Sequence, residues 1–251
     1  MSDKSQTQSK SKTILGILET GIVAEPLLST FGSYPDMFAA LFHPENPELI
    51  LRSYNVIEGQ YPADIDECDA YLITGSKSDS YSNEDWVVQL RHYVTTLAAQ
   101  RKKLIGICFG HQLIAHALGG LAAKSNKGWG VGVYSSKLVE NLNLSWLKAN
   151  EAPEFKLLVS HQDQIITLPT GATLLASNEF CPIAAYTIDN HILCFQGHPE
   201  FSKAYSKGLI EARKAIIPEE VSHQGITSLS QTTDHQQIAK WILKFIASRS
   251  E

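Results

Sequence analysis

Between Lys103 and Leu118 an apolar β-run, KLIGIC, passes into a helical segment, HQLIAHAL, with only Phe109 and Gly110 between them. A strand that turns this sharply into a helix calls for a layered α/β architecture, because the helix buries its apolar stripe by packing over a sheet. The flanking sequence agrees. Thr13–Leu18, Leu51–Ile57 and Ala70–Thr74 are short β-rich runs, each followed closely by a glycine. Ser82–Asp85 offers capping and early acidic side chains, and Trp86, Leu90, Tyr93 and Leu97 then recur at helical spacing. Gly119-Gly120 stops the helix after Leu118.

The second half changes character. Val131–Val139, Lys156–Ser160, Gln164–Leu168, Thr173–Ser177, Ile183–Ile188 and His191–Gln196 read as strands with short connections. Ile217–Thr233 is polar and reads as a loop or insertion. Ile238, Trp241, Ile242, Phe245 and Ile246 mark a closing helix. The expected fold is α/β: an open, mostly parallel twisted sheet with helices on both faces, plus a β-rich second half that extends the sheet or forms a side ribbon. No Pro/Gly/Ser-rich linker and no internal repeat divides the chain. One domain over 13–251, after a polar, solvated and mobile tail over 1–12 (MSDKSQTQSKSK), is the economical organisation.

Composition excludes several functions. The 251 residues are 43% hydrophobic, enough for a real core. With 21 basic against 26 acidic residues and a net charge of −5, a nucleic-acid binder driven by phosphate contacts is disfavoured, as is binding to anionic membranes. There is no apolar run long enough for a membrane span and no signal-peptide core, so a cytoplasmic enzyme is expected. Cys68, Cys108, Cys181 and Cys194 are widely spaced and form no CxxC pair, which speaks against a disulfide framework.

The chemistry concentrates at Cys108. Gly106 and Gly110 flank it two residues to each side, the G-x-C-x-G form of a nucleophile elbow. The glycines relieve clashes in the tight turn, and the turn presents the thiol at a helix N-terminus, where the dipole favours an anion. Helix N-termini and neighbouring imidazolium groups can lower a cysteine pKa from about 8.5 to roughly 3.5–7.5. An inert cysteine buried before a helix would carry the same string.

A second element sits downstream. The run ILCFQ ends in Gly197-His198-Pro199-Glu200. In extended backbone His198 and Glu200 point to the same side, so the carboxylate can orient the imidazole and stabilise its charged form, completing a Cys-His-acid triad. A solvated histidine in a turn is the alternative. A third strand ends at Thr74-Gly75-Ser76, where the Gly75 N–H could face an oxyanion together with the N–H of Phe109.

These motifs, GICFGHQ at Gly106–Gln112 and QGHPE at Gln196–Glu200, resemble those of the class I, triad-type glutamine amidotransferases. The similarity runs over about residues 13–210. Ser160-His161-Gln162-Asp163 is similar to a loop of the GMP-synthase amidotransferase domain. The resemblance implies a flavodoxin-like amidotransferase fold, with Cys108 as nucleophile, His198 as general base and acid, Glu200 as its orienting partner, and Gly75 and Phe109 as the oxyanion hole. It also implies that Gln112 hydrogen-bonds bound glutamine and that His161 and Asp163 border its pocket. The implied reaction is hydrolysis of glutamine, or of another γ-glutamyl amide, through a γ-glutamyl thioester, with no metal or organic cofactor. The hole loop departs from the family's consecutive glycines, a form similar to free-standing members such as the γ-glutamyl peptidases, and a fused synthase domain finds no room in this length. A separate ammonia-accepting synthase, a γ-glutamyl peptidase acting on glutathione-like compounds, and a non-catalytic binding subunit are therefore all carried forward.

Other signals point to structure. His111 and His116 lie five apart rather than on one helical face, and no zinc spacing occurs. Gly128, Gly130 and Gly132 precede a strand instead of opening a helix, so they read as a turn rather than a dinucleotide loop. Cys181, Cys194, Trp86 and Trp129 read as packing residues.

Overall fold

The computed structural model describes residues 12–147 and 152–248. The expected tail therefore lies outside the described residues, apart from Lys12, which pairs with Glu48 at 2.9 Å. Strands and helices alternate in the first half: β1 Ile14–Glu19, α1 Leu27–Phe31, α2 Tyr34–Phe42, β2 Ile50–Asn55, β3 Ala70–Ile73, α3 Asp85–Ala99, β4 Lys103–Ile107 and α4 Phe109–Ala117. Seven strands follow: β5 Leu121–Lys124, β6 Gly130–Leu138, β7 Glu154–His161, β8 Asp163–Thr167, β9 Ala172–Ser177, β10 Ala185–Ile188 and β11 Ile192–Phe195. The chain closes with α5 Lys203–Ala212, α6 Glu219–Ser228 and α7 His235–Ala247.

Nine strands form one sheet in the order β2-β1-β3-β4-β11-β10-β9-β6-β7, and β5 pairs with β8 in a separate ribbon. Both options open for the second half are thus realised. From β2 to β11 the neighbours are parallel; from β11 to β7 they are antiparallel. The inner parallel strands β1, β3, β4 and β11 are buried on both faces, which is why they read as continuous apolar runs, whereas β2 at the edge is largely exposed and alternates. Ile105 and Ile107 of β4 pack with Phe38 and Phe42 of α2 and with Ile238, Trp241 and Phe245 of α7. Leu104 packs on the other face with Leu90 and Val94 of α3 and with Leu113 and Ile114 of α4. Each such side chain contributes roughly 1.5–3 kcal/mol on burial, so the two helical layers fix β4 from both sides. Among the described residues no helix is long and apolar enough to cross a membrane.

Several expectations need correction. Ile217–Thr233 is not a loop: α6 occupies Glu219–Ser228. Its only fully buried residue is Gly225; Val221 and Ile226 give it a short, half-buried apolar face against Val131, Ile210 and Ile217. Close backbone approach adds to that packing. The Ser228 hydroxyl accepts a bond from the Val133 N–H at 2.8 Å and donates to the Gly225 carbonyl at 2.6 Å. A Cβ on Gly132 would stand 2.2 Å from Ser228 Oγ and 2.5 Å from the Gly225 carbonyl oxygen. The helices α1, α2 and α5 were also not anticipated. Of these, α2 carries a capping box between Ser33 and Asp36, and α5 is capped by Ser202. The second strand ends at Asn55, where Val56–Glu58 tightens into a 3₁₀ turn. Before α3 the Glu84 carboxylate does not cap the helix; it accepts from the Trp86 indole at 3.0 Å and from Ser82 at 3.1 Å.

The glycine contact under α6 can be tested against a glycine that has only a strained backbone. Gly59 has φ +75° and nothing within 4 Å of an added Cβ. Gly59→Ala should cost about 1–2 kcal/mol from its left-handed φ alone. Gly132→Ala, at φ +92°, should lose about 1–3 kcal/mol more from overpacking against α6. Denaturant unfolding of the two variants makes the comparison, and equal losses would refute the packing account.

Candidate active site

The elbow is built by two close glycine contacts. A Cβ on Gly106 would meet Ile114 Cδ1 at 2.7 Å, and one on Gly110 would meet the Ile73 carbonyl oxygen at 2.5 Å. With neither side chain present, α4 starts one residue after Cys108 and packs directly against β3 and β4. The turn forces Cys108 to φ +53°, ψ −98°, a sparsely populated region for a residue with a side chain, and strain of this kind collects at functional positions. The strained residue is anchored by its N–H to the Phe195 carbonyl at 2.9 Å and by its carbonyl from the Gln112 N–H at 3.1 Å.

The histidine arrives on the neighbouring strand. β11 lies parallel beside β4 with Phe195 in register with Ile107, so both strands end at the same level. Past that end the His198 N–H bonds the Leu158 carbonyl of β7 at 2.8 Å. His198 Nδ1 donates to Glu200 Oε1 at 2.7 Å. The Phe201 ring stacks on the imidazole with centroids 3.8 Å apart and planes within 8°. The charge of the Cys108 sulfur is felt at His198. The residues expected from the two motifs are therefore adjacent in space.

Electrostatics favour a charged histidine. Burial alone pushes the imidazolium pKa down. The Glu200 carboxylate and the Cys108 sulfur act against it and prevail, raising His198 to about 10. His161 shows the contrast. Equally buried but without a carboxylate partner, it is pushed down to about 4 and donates from Nδ1 to the Asp163 carbonyl at 2.9 Å. Burial drives Cys181 and Cys194 up to about 12, so these two thiols stay protonated as expected of core residues. His111, whose ring bonds the Ile183 carbonyl at 3.1 Å, is lowered to about 3 by burial first. Among the described residues no group of three or more His, Cys, Asp or Glu converges as a metal site.

Cys108 opens into a pocket of about 250 Å³, below the roughly 300–1,000 Å³ of drug-sized sites and suited to an amino-acid-sized group. Phe109, Gln112, His161 and Asp163 all line it. Gly75 stands beside it against the histidine: a Cβ there would be 2.9 Å from His198 Cε1. Its loop is pinned by Thr20, whose hydroxyl donates to the Thr74 carbonyl at 2.9 Å and approaches the Gly75 carbonyl at 3.1 Å. The Gln112 amide nitrogen donates to the Asp163 carbonyl at 2.7 Å and to Gln196 Oε1 at 3.0 Å. Both its N–H groups are thus engaged within the protein, which leaves its oxygen as the atom to meet a ligand. Asp163 is raised by burial first and by the Asp79 charge second.

The sequence reading missed Gln196, whose amide nitrogen reaches Cys108 Sγ at 3.5 Å. The signal was weak: strand β11 ends at Phe195, and the chain bends at Gln196 and turns at Pro199-Glu200, so strand alternation does not place these three side chains. It also missed Arg213, and it assigned Trp129 to packing, although both line the pocket.

Comparison with known proteins agrees with this geometry. The sequence pattern described as Glutamine amidotransferase class-I matches residues 51–216. Gamma-glutamyl peptidase 3 of Arabidopsis thaliana is 35% identical over 185 residues, covering 72% of this chain and 74% of the relative. Gamma-glutamyl peptidase 2 of the same plant is 27% identical over 224 residues, covering 87% and 90%. The fold of a crystallised glutamine amidotransferase from Thermotoga maritima superposes with a TM-score of 0.73 at 15% identity, over 95% of this chain and 97% of that one. The chain belongs to the class-I glutamine amidotransferases and is a hydrolytic enzyme of that family.

Proposed function

We propose that the protein hydrolyses a γ-glutamyl amide by nucleophilic catalysis, with Cys108 as nucleophile, His198 as proton carrier and Glu200 as its orienting partner. The observation that carries this reading is a buried imidazole bonded through Nδ1 to the Glu200 carboxylate at 2.7 Å, at the strand ends where Cys108 sits strained before helix α4. Glu200 fixes Nδ1, so Nε2 is the ring nitrogen that exchanges protons with the reacting groups. The Cys108 thiolate attacks the γ-carbonyl. The N–H groups of Gly75 and Phe109 stabilise the oxyanion, an interaction typically worth about 2.7–4 kcal/mol per donor. The C–N bond breaks as Nε2 delivers its proton to the departing nitrogen, leaving a γ-glutamyl thioester. Neutral His198 then takes a proton from water, which hydrolyses the thioester and restores the thiolate–imidazolium pair. Glutamate leaves with ammonia, or with a freed amine. Gln112, His161 and Asp163 shape the glutamyl side of the pocket, and the whole catalytic unit falls within one domain over 13–251.

Two substrates fit this chemistry. With glutamine, the ammonia goes to a separate synthase. With a γ-glutamyl peptide no acceptor is needed, and the likeness to γ-glutamyl peptidases at 35% identity favours this second reading. The four free cysteines suit the reducing cytoplasm, where we place the reaction. A subunit that only binds would have little reason to keep a buried, charge-stabilised pair.

Three outcomes are expected. Cys108→Ala should lower kcat/KM for γ-glutamyl substrates by about a thousandfold or more and abolish covalent labelling by an electrophilic glutamine analogue; labelling that persists would remove Cys108 from the mechanism. The basic limb of the kcat/KM profile should fall at the raised pKa of His198, above the ordinary histidine range, because activity is lost as pH climbs through the loss of its proton. Glu200→Gln removes the main stabiliser of that proton and should move the limb toward neutral pH, while an unmoved limb would exclude Glu200 from this role. Gly75→Ala should push against the imidazole and cut kcat by about a hundredfold with little change in KM; steady-state kinetics on the folded variant decides it.

A further inference from the structure

The chain is acidic overall, with a net charge of −5, yet three cations, Lys77, Lys124 and Arg213, line the pocket at Cys108. The acids that line it are Asp79 and Asp163. The cations thus outnumber the acids by three to two. Such a mouth suits a ligand with a net negative charge. Free glutamine is neutral overall, whereas a γ-glutamyl amide of an amino acid carries one more carboxylate.

Arg213 is the cation with a built position. It follows the last residue of α5, and its Nη1 donates to the Ser160 hydroxyl of β7 at 2.9 Å. Its guanidinium carbon lies 5.8 Å from the centre of the Trp129 ring, within cation–π range. A planar guanidinium fixed at one end and backed by an aromatic face is pre-oriented to take a carboxylate through parallel N–H bonds. Its location also matches one side of the reaction. Two residues before Ser160 on β7, the Leu158 carbonyl holds the His198 N–H. Arg213 is thus held by the same strand, β7, that holds the backbone of His198, the group that protonates the departing nitrogen. Ile216, 62% exposed at the same rim, offers an apolar contact for a departing side chain.

We propose that Arg213 is a specificity-determining residue that binds a carboxylate on the departing amine, so the preferred substrates are γ-glutamyl amides of amino acids or short peptides rather than glutamine. This deepens the reading of Cys108 as nucleophile and rests on it. Attack by Cys108 breaks the γ-carbonyl C–N bond, His198 protonates the departing nitrogen, and the freed amino acid or peptide leaves with its carboxylate from Arg213.

The test compares γ-glutamylalanine and γ-glutamyl-alanyl-glycine, each as the free acid and as the C-terminal carboxamide, with glutamine as a further substrate. In at least one pair the wild-type enzyme should prefer the acid by about tenfold or more in kcat/KM, the range of one charge-assisted hydrogen bond. Arg213→Gln should bring acid and amide to within about twofold. Arg213→Lys, which keeps the charge without the fork, should retain part of the preference. The acid-to-amide ratio carries the test because partial unfolding lowers both rates alike. Wild-type enzyme that uses acid and amide equally in both pairs overturns the proposal while leaving the Cys108 reading intact, as does a preference that survives Arg213→Gln. No turnover of any of these compounds or of glutamine overturns the Cys108 reading and this inference with it.

Discussion

Strands β4 and β11 lie side by side in parallel, and everything at the site depends on their register. Phe195 is level with Ile107, so the residues that follow, Gln196 to Glu200 on one chain segment and Cys108 on the other, leave the sheet at one point. The helices α2 and α7 on one face and α3 and α4 on the other clamp that pair. A close-packed interior of this kind does not deform gradually, so the sulfur and the imidazole are positioned before any ligand arrives. That is the preorganisation on which electrostatic catalysis depends, because the groups do not have to be rearranged in the transition state.

Equal burial ends in opposite pKa shifts for the two histidines near the pocket. His161 and His198 are both removed from water, and for each burial disfavours the charged form. His161 meets a backbone carbonyl and is pushed down to about 4. His198 meets a carboxylate and a sulfur and rises to about 10. A charge within about 4 Å acts with roughly 4 kcal/mol at an effective dielectric of 20, enough to reverse the cost of burial, whereas a neutral dipole is not. The neighbouring residue therefore decides which histidine carries protons and which serves as a fixed hydrogen-bond donor.

The pocket is divided by the elements that build it. Helix α4, strand β8 and the loop after β3 supply Gln112, Asp163 and Asp79, a polar set with its hydrogen bonds largely arranged within the protein. The end of α5 and the approach to β6 supply Arg213, Ile216 and Trp129. Family membership accounts for the elbow and the histidine strand, while the second set comes from residues whose neighbours in sequence give no sign of a site. The residues that line the pocket therefore come from parts of the chain far apart in sequence.

The amino-acid sequence by itself determined the elements whose information is local. Gly106 and Gly110 two residues to each side of Cys108 mark the elbow, because only a side-chain-free position tolerates that turn. The H-P-E string marks His198 and Glu200 as partners, although a turn at Pro199-Glu200, not the expected extended backbone, brings them together. Continuous apolar runs mark strands covered on both faces, and the closing helix shows its stripe at Ile238, Trp241, Ile242 and Phe245. Tertiary structure decided the rest. Strand order sets β11 against β4, although His198 and Cys108 lie far apart in the chain. Helix α6 has only a short apolar face, Val221 and Ile226, and is seated by the close meeting of Gly132, Gly225 and Ser228. Gln196 gains its role from a contact with Cys108, and Arg213 from Ser160 and Trp129. In each of these cases the deciding partner is distant in sequence, and no pattern within a few residues can register a contact of that kind.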